Sequence, residues 1–147
     1  MFEKVSPSRS IAIAFAAGFV ATLLAHQLIV LAIGGPAYSL VATWPLGVPE
    51  FVSLAFFGGL WAIMLNELLR RMPARANGWI AWLVLGAILP TLVFWLAVVP
   101  LKGLPVSLVF SLPYVVATFV VNGAWGVASF LLIKIAGDWL GRGTSRP

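Results

Sequence analysis

Long apolar runs alternate with short connections along the whole chain. Four runs reach the roughly 20 residues that an α-helix needs to cross a bilayer; they lie at about Ile11–Ile33, Pro49–Leu69, Gly78–Val99 and Val106–Ile135. The last run is longer than a bilayer requires, so we expect it to tilt or to include a stretch at the membrane surface. Short connections favour antiparallel neighbours. The pattern predicts an all-α integral membrane protein whose single domain, residues 1–147, is a four-helix up-down transmembrane bundle.

The composition agrees with lipid as the main solvent. Apolar residues make up 62% of the chain and charged residues 9%, whereas soluble domains have roughly 45–50% and 25%. A secretory signal core is usually about 7–15 residues long. The run from Ile11 to Ile33 has 23 residues, so we interpret it as a retained first helix.

The basic residues indicate topology rather than nucleic-acid binding. The net charge is +5, and the lysines and arginines stand at the edges of the apolar runs, where they contact anionic lipid headgroups. In the predicted bundle, Lys102 is the one basic residue on its side of the membrane. The eight basic residues on the opposite side are Lys4, Arg9, Arg70, Arg71, Arg75, Lys134, Arg142 and Arg146. This bias predicts cytoplasmic N and C termini in a bacterial inner (plasma) membrane.

The residues that commonly carry catalysis or metal binding are scarce. The chain has no cysteine, which excludes disulfides and thiolate sites. Its one histidine, His26, cannot by itself supply a zinc site or both axial ligands of a haem. The sequence contains no paired carboxylates, no nucleophile with a base and no phosphate-binding loop. We therefore expect a protein that is not an enzyme and has no cofactor of its own.

An ungapped shift of 64 residues aligns the chain with itself. VPEFVSLAFFGGLW from Val48 falls on LPYVVATFVVNGAW from Leu112. Four pairs in this alignment are identical: Pro49 and Pro113, Val52 and Val116, Gly59 and Gly123, and Trp61 and Trp125. Either the chain is two duplicated helical hairpins, or the matches are convergent, because proline suits the first turn of any helix and glycine is frequent in membrane helices.

A polar cluster is predicted at the outward-facing ends of the helices. His26 and Gln27 form the one polar pair inside the first helix, and polar residues at such depth usually face the bundle interior. Glu50 starts the second helix, and Tyr114 is its partner under the 64-residue shift. The four side chains either form one cluster at an outer mouth or have separate structural roles: a helix-to-helix hydrogen bond for His26 and a favourable position at the positive end of the helix dipole for Glu50.

Three further polar groups lie near helix centres. Trp61 and Trp125 are far from either headgroup region, and an unmet indole donor in hydrocarbon costs several kcal/mol. We therefore predict that both tryptophans face protein, either as bundle core or as the lining of a ligand cavity. Asn122, at the middle of the fourth helix, is typical of an interhelical hydrogen bond.

The first half of the chain resembles a known class of protein. The residues that carry the resemblance are His26-Gln27, Pro45-Leu46-Gly47-Val48-Pro49 and Phe57-Gly58-Gly59-Leu60-Trp61, and it covers roughly residues 15–65. These segments resemble the small four-helix bacterial inner-membrane proteins of unassigned function, so the resemblance implies a fold and no activity. The chain does not resemble the four-helix small multidrug transporters. Their pattern needs an acidic residue inside the first helix, and the first helix here has none.

Two functions from different classes follow. The first is a non-enzymatic protein that acts by association, as a homo-oligomer or as an accessory subunit of a membrane complex. Its support is small-residue spacing, such as Ala17, Ala21 and Ala25 in the first helix, which lets helices approach closely within one chain or between chains. The alternative is a small transporter or channel for a neutral or apolar solute. It predicts a cavity at the repeat interface that Trp61, Trp125, His26 and Asn122 all face.

Overall fold

The computed structural model describes residues 6–73 and 78–143, with side chains described as far as residue 140. Of the basic residues behind the predicted orientation, Lys4, Arg75 and Arg146 lie outside the described residues, as does the side chain of Arg142.

The described chain is helical apart from its connections and one small β-hairpin. Its elements are α1 (Pro7–Ala32), β1 (Ala42–Thr43), β2 (Val48–Pro49), α2 (Glu50–Arg70), α3 (Trp79–Lys102), α4 (Val106–Val109) and α5 (Leu112–Gly143). Within the described residues, four helices, α1, α2, α3 and α5, are long and apolar enough to cross a membrane. The prediction of an all-α four-helix bundle of a multi-pass membrane protein is confirmed.

The last helix differs from its sequence prediction. The apolar run from Val106 is interrupted after Val109, and the long helix starts at Leu112 and continues to Gly143. Pro113 explains the break, because a proline inside a continuous helix lacks the amide hydrogen and its ring clashes with the carbonyl four residues back. Proline is well tolerated in the first turn of a new helix.

Helices α1 and α2 form a first helix pair through a close backbone approach. A Cβ atom added at Gly18 would meet the Cβ of Ala62 and the carbonyl of Gly58, and one added at Gly58 would meet the Thr22 hydroxyl. Gly18, Gly58 and Ala62 are buried. The missing side chains let the two helix backbones approach until van der Waals contact is made along the seam.

Helices α3 and α5 form a second helix pair in the same manner. A Cβ atom at Gly126 would meet the carbonyl of Trp82, and one at Gly86 would lie 3.0 Å from the Cα of Gly126. Asn122 donates a 2.8 Å hydrogen bond from its side-chain amide to the hydroxyl of Thr91, which is fully buried. This bond confirms the interhelical role predicted for Asn122.

The two helix pairs meet mainly where α1 packs against α5. Trp125 lies in this seam with 3% of its surface exposed, and its indole N–H donates a 3.1 Å hydrogen bond to the carbonyl of Gly18. The opposite seam, between α2 and α3, has far fewer contacts. The bundle is therefore closed on the α1–α5 side and more open on the α2–α3 side.

Both helix pairs have close approaches at positions that coincide under the 64-residue shift. Gly18 against Ala62 in the first pair corresponds to Trp82 against Gly126 in the second. Thr22 against Gly58 corresponds likewise to Gly86 against Asn122. The shift therefore maps contacting residues of the first helix pair onto contacting residues of the second. The duplication itself stays a prediction.

The bundle has two chemically different ends. The end that contains the β-hairpin, called the loop end below, has few charges. At the other end, called the basic end, Arg70 donates to Glu67 at 3.1 Å and to the hydroxyl of Ser10 at 2.9 Å. The side-chain amide of Asn66 also donates to Ser10, so this end of α1 is tied to α2. Glu67 and Arg70 are thereby paired within the last turn of α2.

The Gly58→Ala substitution is expected to lower the free energy of unfolding by about 1–3 kcal/mol, the usual cost of overpacking a close contact. The added methyl group meets the Thr22 hydroxyl and lies 3.1 Å from the Gly18 carbonyl. Gly137→Ala is the matched control, since nothing lies within 4 Å of its Cβ position. There the helix should gain up to about 1 kcal/mol. Unfolding by sodium dodecyl sulfate in mixed micelles, followed by circular dichroism, measures both. Equal effects of the two substitutions would contradict the close approach.

Candidate functional site

A π-helical turn interrupts α1 at Thr22–His26. The amide of Gln27 bonds to the carbonyl of Thr22, five residues back, whereas an α-helix would engage the carbonyl of Leu23. The Leu23 carbonyl instead accepts a 2.7 Å hydrogen bond from the hydroxyl of Tyr38, in the loop after α1. Single π-turns inside α-helices are frequent at functional sites, and this one supplies an acceptor for the loop.

A second hydrogen bond holds the same loop residue. The backbone amide of Tyr38 donates to Oε1 of Gln27 at 2.7 Å, and Gln27 is 2% exposed. Tyr38 has φ +52°, a left-handed conformation that is uncommon outside glycine and persists where surrounding contacts fix it. We call Leu23, Gln27 and Tyr38 the loop clamp.

His26 contacts the side-chain amide of Gln27, a member of the clamp. Its Nδ1 lies 3.4 Å from Nε2 of Gln27, which orients the amide so that Oε1 is turned to Tyr38. The structure thus gives His26 a bond to its neighbour Gln27 in place of the predicted helix-to-helix hydrogen bond. Gln27 in turn contacts the loop.

The loop also completes the start of α2. The first amides of a helix have no intrahelical acceptor. Here the amide of Glu50 donates to the carbonyl of Val41 at 2.9 Å, and that of Phe51 to the carbonyl of Ser39 at 3.3 Å. The loop therefore joins the π-turn of α1 to the first turn of α2.

A two-stranded β-hairpin ends the loop. Ala42 pairs with Pro49 and Thr43 with Val48 in antiparallel register. The hydroxyl of Thr43 donates to the Val48 carbonyl at 2.9 Å, and Gly47 has φ +68° at the turn, where glycine carries no steric cost. The peptide bond between Trp44 and Pro45 is cis.

Glu50 and Tyr114 have partners outside the clamp. Glu50 forms an ion pair with Lys102 at 3.7 Å, which links the loop ends of the two helix pairs; as a half-exposed pair it is worth at most about 1 kcal/mol. Tyr114 stacks on Phe94 with ring centroids 6.3 Å apart. The structure thus brings His26 and Gln27 together and gives Glu50 and Tyr114 other partners.

The two central tryptophans have different surroundings. Trp125 faces protein, as predicted, and fills the α1–α5 seam. Trp61 is half-buried: it packs against the hydrophobic core, as predicted, and also lines a shallow groove between α2 and α3. Phe57, Leu60, Met64 and Val93 line the same groove. Within the described part of the chain, the Trp61 indole N–H makes no hydrogen bond, in contrast to that of Trp125.

The residues predicted to share a solute cavity are distributed over separate places. Trp61 lines the α2–α3 groove, and a second apolar groove, beside Ile29 of α1 and Val116 of α5, contains none of the four. Among the described residues, no group of three His, Asp or Glu side chains is placed to hold a metal ion.

Sequence reasoning missed Tyr38, Leu23 and Thr91. Tyr38 stands in a loop without periodicity, and the acceptor at Leu23 is a backbone atom that any residue would supply. Thr91 follows a proline inside α3; its position 31 residues before Asn122 carries no signal that the two would meet. Only the depth of His26 and Gln27 indicated that a polar contact was needed there.

No protein-family model, curated protein or solved structure matches the chain.

The Tyr38→Phe substitution should lower the free energy of unfolding by about 1 kcal/mol, the net worth of a typical hydrogen bond, because the Leu23 carbonyl loses its donor. Tyr114→Phe is the matched control; its ring stacks on Phe94, and that stacking survives the change. Denaturation in mixed micelles gives the free energies. Hydrogen exchange should show faster exchange at the amides of residues 38–43 in Tyr38→Phe only. Unchanged exchange in that variant would contradict the clamp.

Proposed function

We propose that this chain is a non-enzymatic membrane protein that works by association with another membrane-spanning chain, either a second copy or a subunit of a larger complex. The contact surface in this proposal is the α2 flank, formed by Phe57, Leu60, Trp61 and Met64. The observation that carries it is the half-buried indole of Trp61, in the middle of a helix that spans the membrane.

The small-residue faces support the choice of this surface. Gly18 and Gly58 are enclosed in the first helix pair, and Gly86 and Gly126 in the second. Those glycines already contact neighbouring helices of the same chain. Association between chains therefore needs another surface, and the sparsely packed α2–α3 side offers one.

The contrast between the two tryptophans gives the chemistry of the contact. Trp125 satisfies its donor with a carbonyl of the neighbouring helix pair. Trp61 is at the corresponding position under the 64-residue shift, on the side where the seam is open. Because hydrocarbon offers no acceptor, a partner helix that presents a carbonyl or hydroxyl to Trp61 would be favoured over lipid. A true duplication of two helical hairpins would explain why the two tryptophans stand at equivalent positions.

The setting of this proposal is the bacterial inner membrane, with both termini in the cytoplasm. Its support is the clustering of basic residues at one end of the bundle, represented among the described residues by Arg9, Arg70, Arg71 and Lys134. Anionic headgroups of the cytoplasmic leaflet attract such residues.

The transport alternative lacks a comparable observation. A solute path along the interface of the two helix pairs would pass the α1–α5 seam, where Trp125 is packed against Gly18. The groove at Trp61 lies on the α2–α3 side of the bundle, and neither His26 nor Asn122 lines it.

The Trp61→Phe substitution should reduce association severalfold while leaving the folded monomer intact, since the ring volume is largely kept and only the donor and part of the contact are lost. Two differently tagged copies are co-expressed, extracted in polymer nanodiscs and captured through one tag. Recovery of the second tag identifies a second copy, and stoichiometric recovery of another polypeptide identifies a complex subunit. Trp139→Phe is the matched control, because Trp139 is exposed near the end of α5.

The control should retain full association. Recovery of the tagged chain alone from the native membrane would sink the proposal, and so would equal association of the Trp61→Phe and unmodified chains. Trp125→Phe serves as a third arm, because it should lower the free energy of unfolding rather than act on association selectively.

A further inference from the structure

The loop between α1 and α2 returns along the helices before it forms the β-hairpin. The Tyr38 amide is bonded to Gln27, which lies five residues before the end of α1 at Ala32, or about 7.5 Å along the helix axis at 1.5 Å per residue. The Tyr38 hydroxyl reaches Leu23, further down the same helix. The loop backbone at Tyr38 and Ser39 therefore lies at the depth of the last turns of α1 and the first turn of α2.

This backbone is satisfied by protein at that depth. Irregular backbone within a membrane is tolerated only where it is covered by protein or lines a water-filled cavity. The Tyr38 amide is bonded to Gln27, and the carbonyls of Ser39 and Val41 accept the first amides of α2. The loop therefore meets the requirement for a segment that dips into the bilayer.

The β-hairpin beyond the clamp exposes large apolar side chains. Trp44 is 93% exposed and Leu46 is 82% exposed, and Leu40 and Val41 are exposed as well. From Gly34 to Pro49 the sequence contains no Asp, Glu, Lys, Arg or His. A contiguous apolar patch of this kind marks a contact with membrane or protein rather than with water.

We propose that the tip of the β-hairpin, Trp44 to Gly47, inserts into the lipid leaflet at the loop end of the bundle. The segment is fixed at both ends to helices that span the membrane, so its tip is held at the membrane surface. Trp44 combines an apolar ring with one donor, the combination that favours the boundary between headgroups and acyl chains.

Lipid fits this surface better than a water-soluble partner does. Protein interfaces combine an apolar centre with a polar rim, and residues 34–49 supply no charged side chain for such a rim. Two charges at the loop end, Glu50 and Lys102, are paired with each other. The hairpin is thus an interfacial anchor, and the clamp sets the depth at which it enters the leaflet. This inference is independent of the α2 flank.

Site-directed spin labelling tests the proposal directly, because the chain has no cysteine of its own. Leu46→Cys and, as a second site, Trp44→Cys carry a nitroxide in the full chain, reconstituted in vesicles of phosphatidylethanolamine and phosphatidylglycerol. Collision with oxygen, which concentrates in acyl chains, is compared with collision with a water-soluble nickel chelate. Leu24→Cys, exposed on the membrane-spanning part of α1, is the lipid control, and Ser8→Cys is the water control.

The expected result is an oxygen-to-nickel accessibility ratio at Leu46 severalfold above that at Ser8 and approaching that at Leu24. High nickel accessibility at both tip sites would place the tip in water and overturn the proposal. Low accessibility to both reagents would place the tip against protein and would overturn it equally.

A label-free measurement guards against an effect of the nitroxide itself. Lipids brominated near the carboxyl end of the acyl chain quench nearby tryptophans. The unmodified chain should lose more fluorescence than Trp44→Phe does, and the difference should shrink when bromine is moved to the chain terminus. No difference between the two chains at any depth would contradict insertion of Trp44.

Discussion

The backbone carbonyl of Gly18 is the point on which the arrangement of the bundle depends. It accepts the Thr22 hydroxyl at 2.9 Å from its own helix and the Trp125 indole at 3.1 Å from α5, while Gly58 of α2 is packed against it. Lipid tails are as apolar as leucine, so helices gain little from the hydrophobic effect by meeting in a bilayer. Close packing and hydrogen-bonded donors must hold the helices together instead. Gly18 supplies both at the place where three helices meet.

Closure on one side leaves the opposite side of the bundle open. Trp125 joins the two helix pairs along the α1–α5 seam, whereas Trp61, its equivalent under the 64-residue shift, lines a groove on the sparsely packed α2–α3 side. A donor in hydrocarbon is costly wherever it lies. The same residue type stabilises the fold at Trp125 and, in the proposed function, favours association at Trp61. This asymmetry is the physical basis of the proposed function.

The π-turn of α1 has a comparable role at the loop end. By shifting the Gln27 amide to the carbonyl of Thr22, it leaves the Leu23 carbonyl for Tyr38. Gln27 and, through it, His26 are therefore engaged with the loop. The loop in turn supplies acceptors for the start of α2. The position of the β-hairpin therefore depends on the hydrogen bonds that join α1, the loop and α2, and not on the hairpin turn alone.

The sequence by itself determined that the chain is a four-helix membrane protein and where its spans lie, because bilayer thickness and hydropathy act along one dimension of the chain. It also indicated that Trp125 and Asn122 would find partners, because a buried donor without an acceptor is costly. The tertiary structure alone decided which partners they found. Trp125 bonds a carbonyl 107 residues away, and Glu50 pairs with Lys102 rather than with His26. The interruption before Pro113 moved the start of the last long helix from Val106 to Leu112. The clamp at Tyr38 arose from a backbone atom freed by a local change in helix geometry. Such contacts depend on helix rotation and backbone distance, which the order of residues does not display.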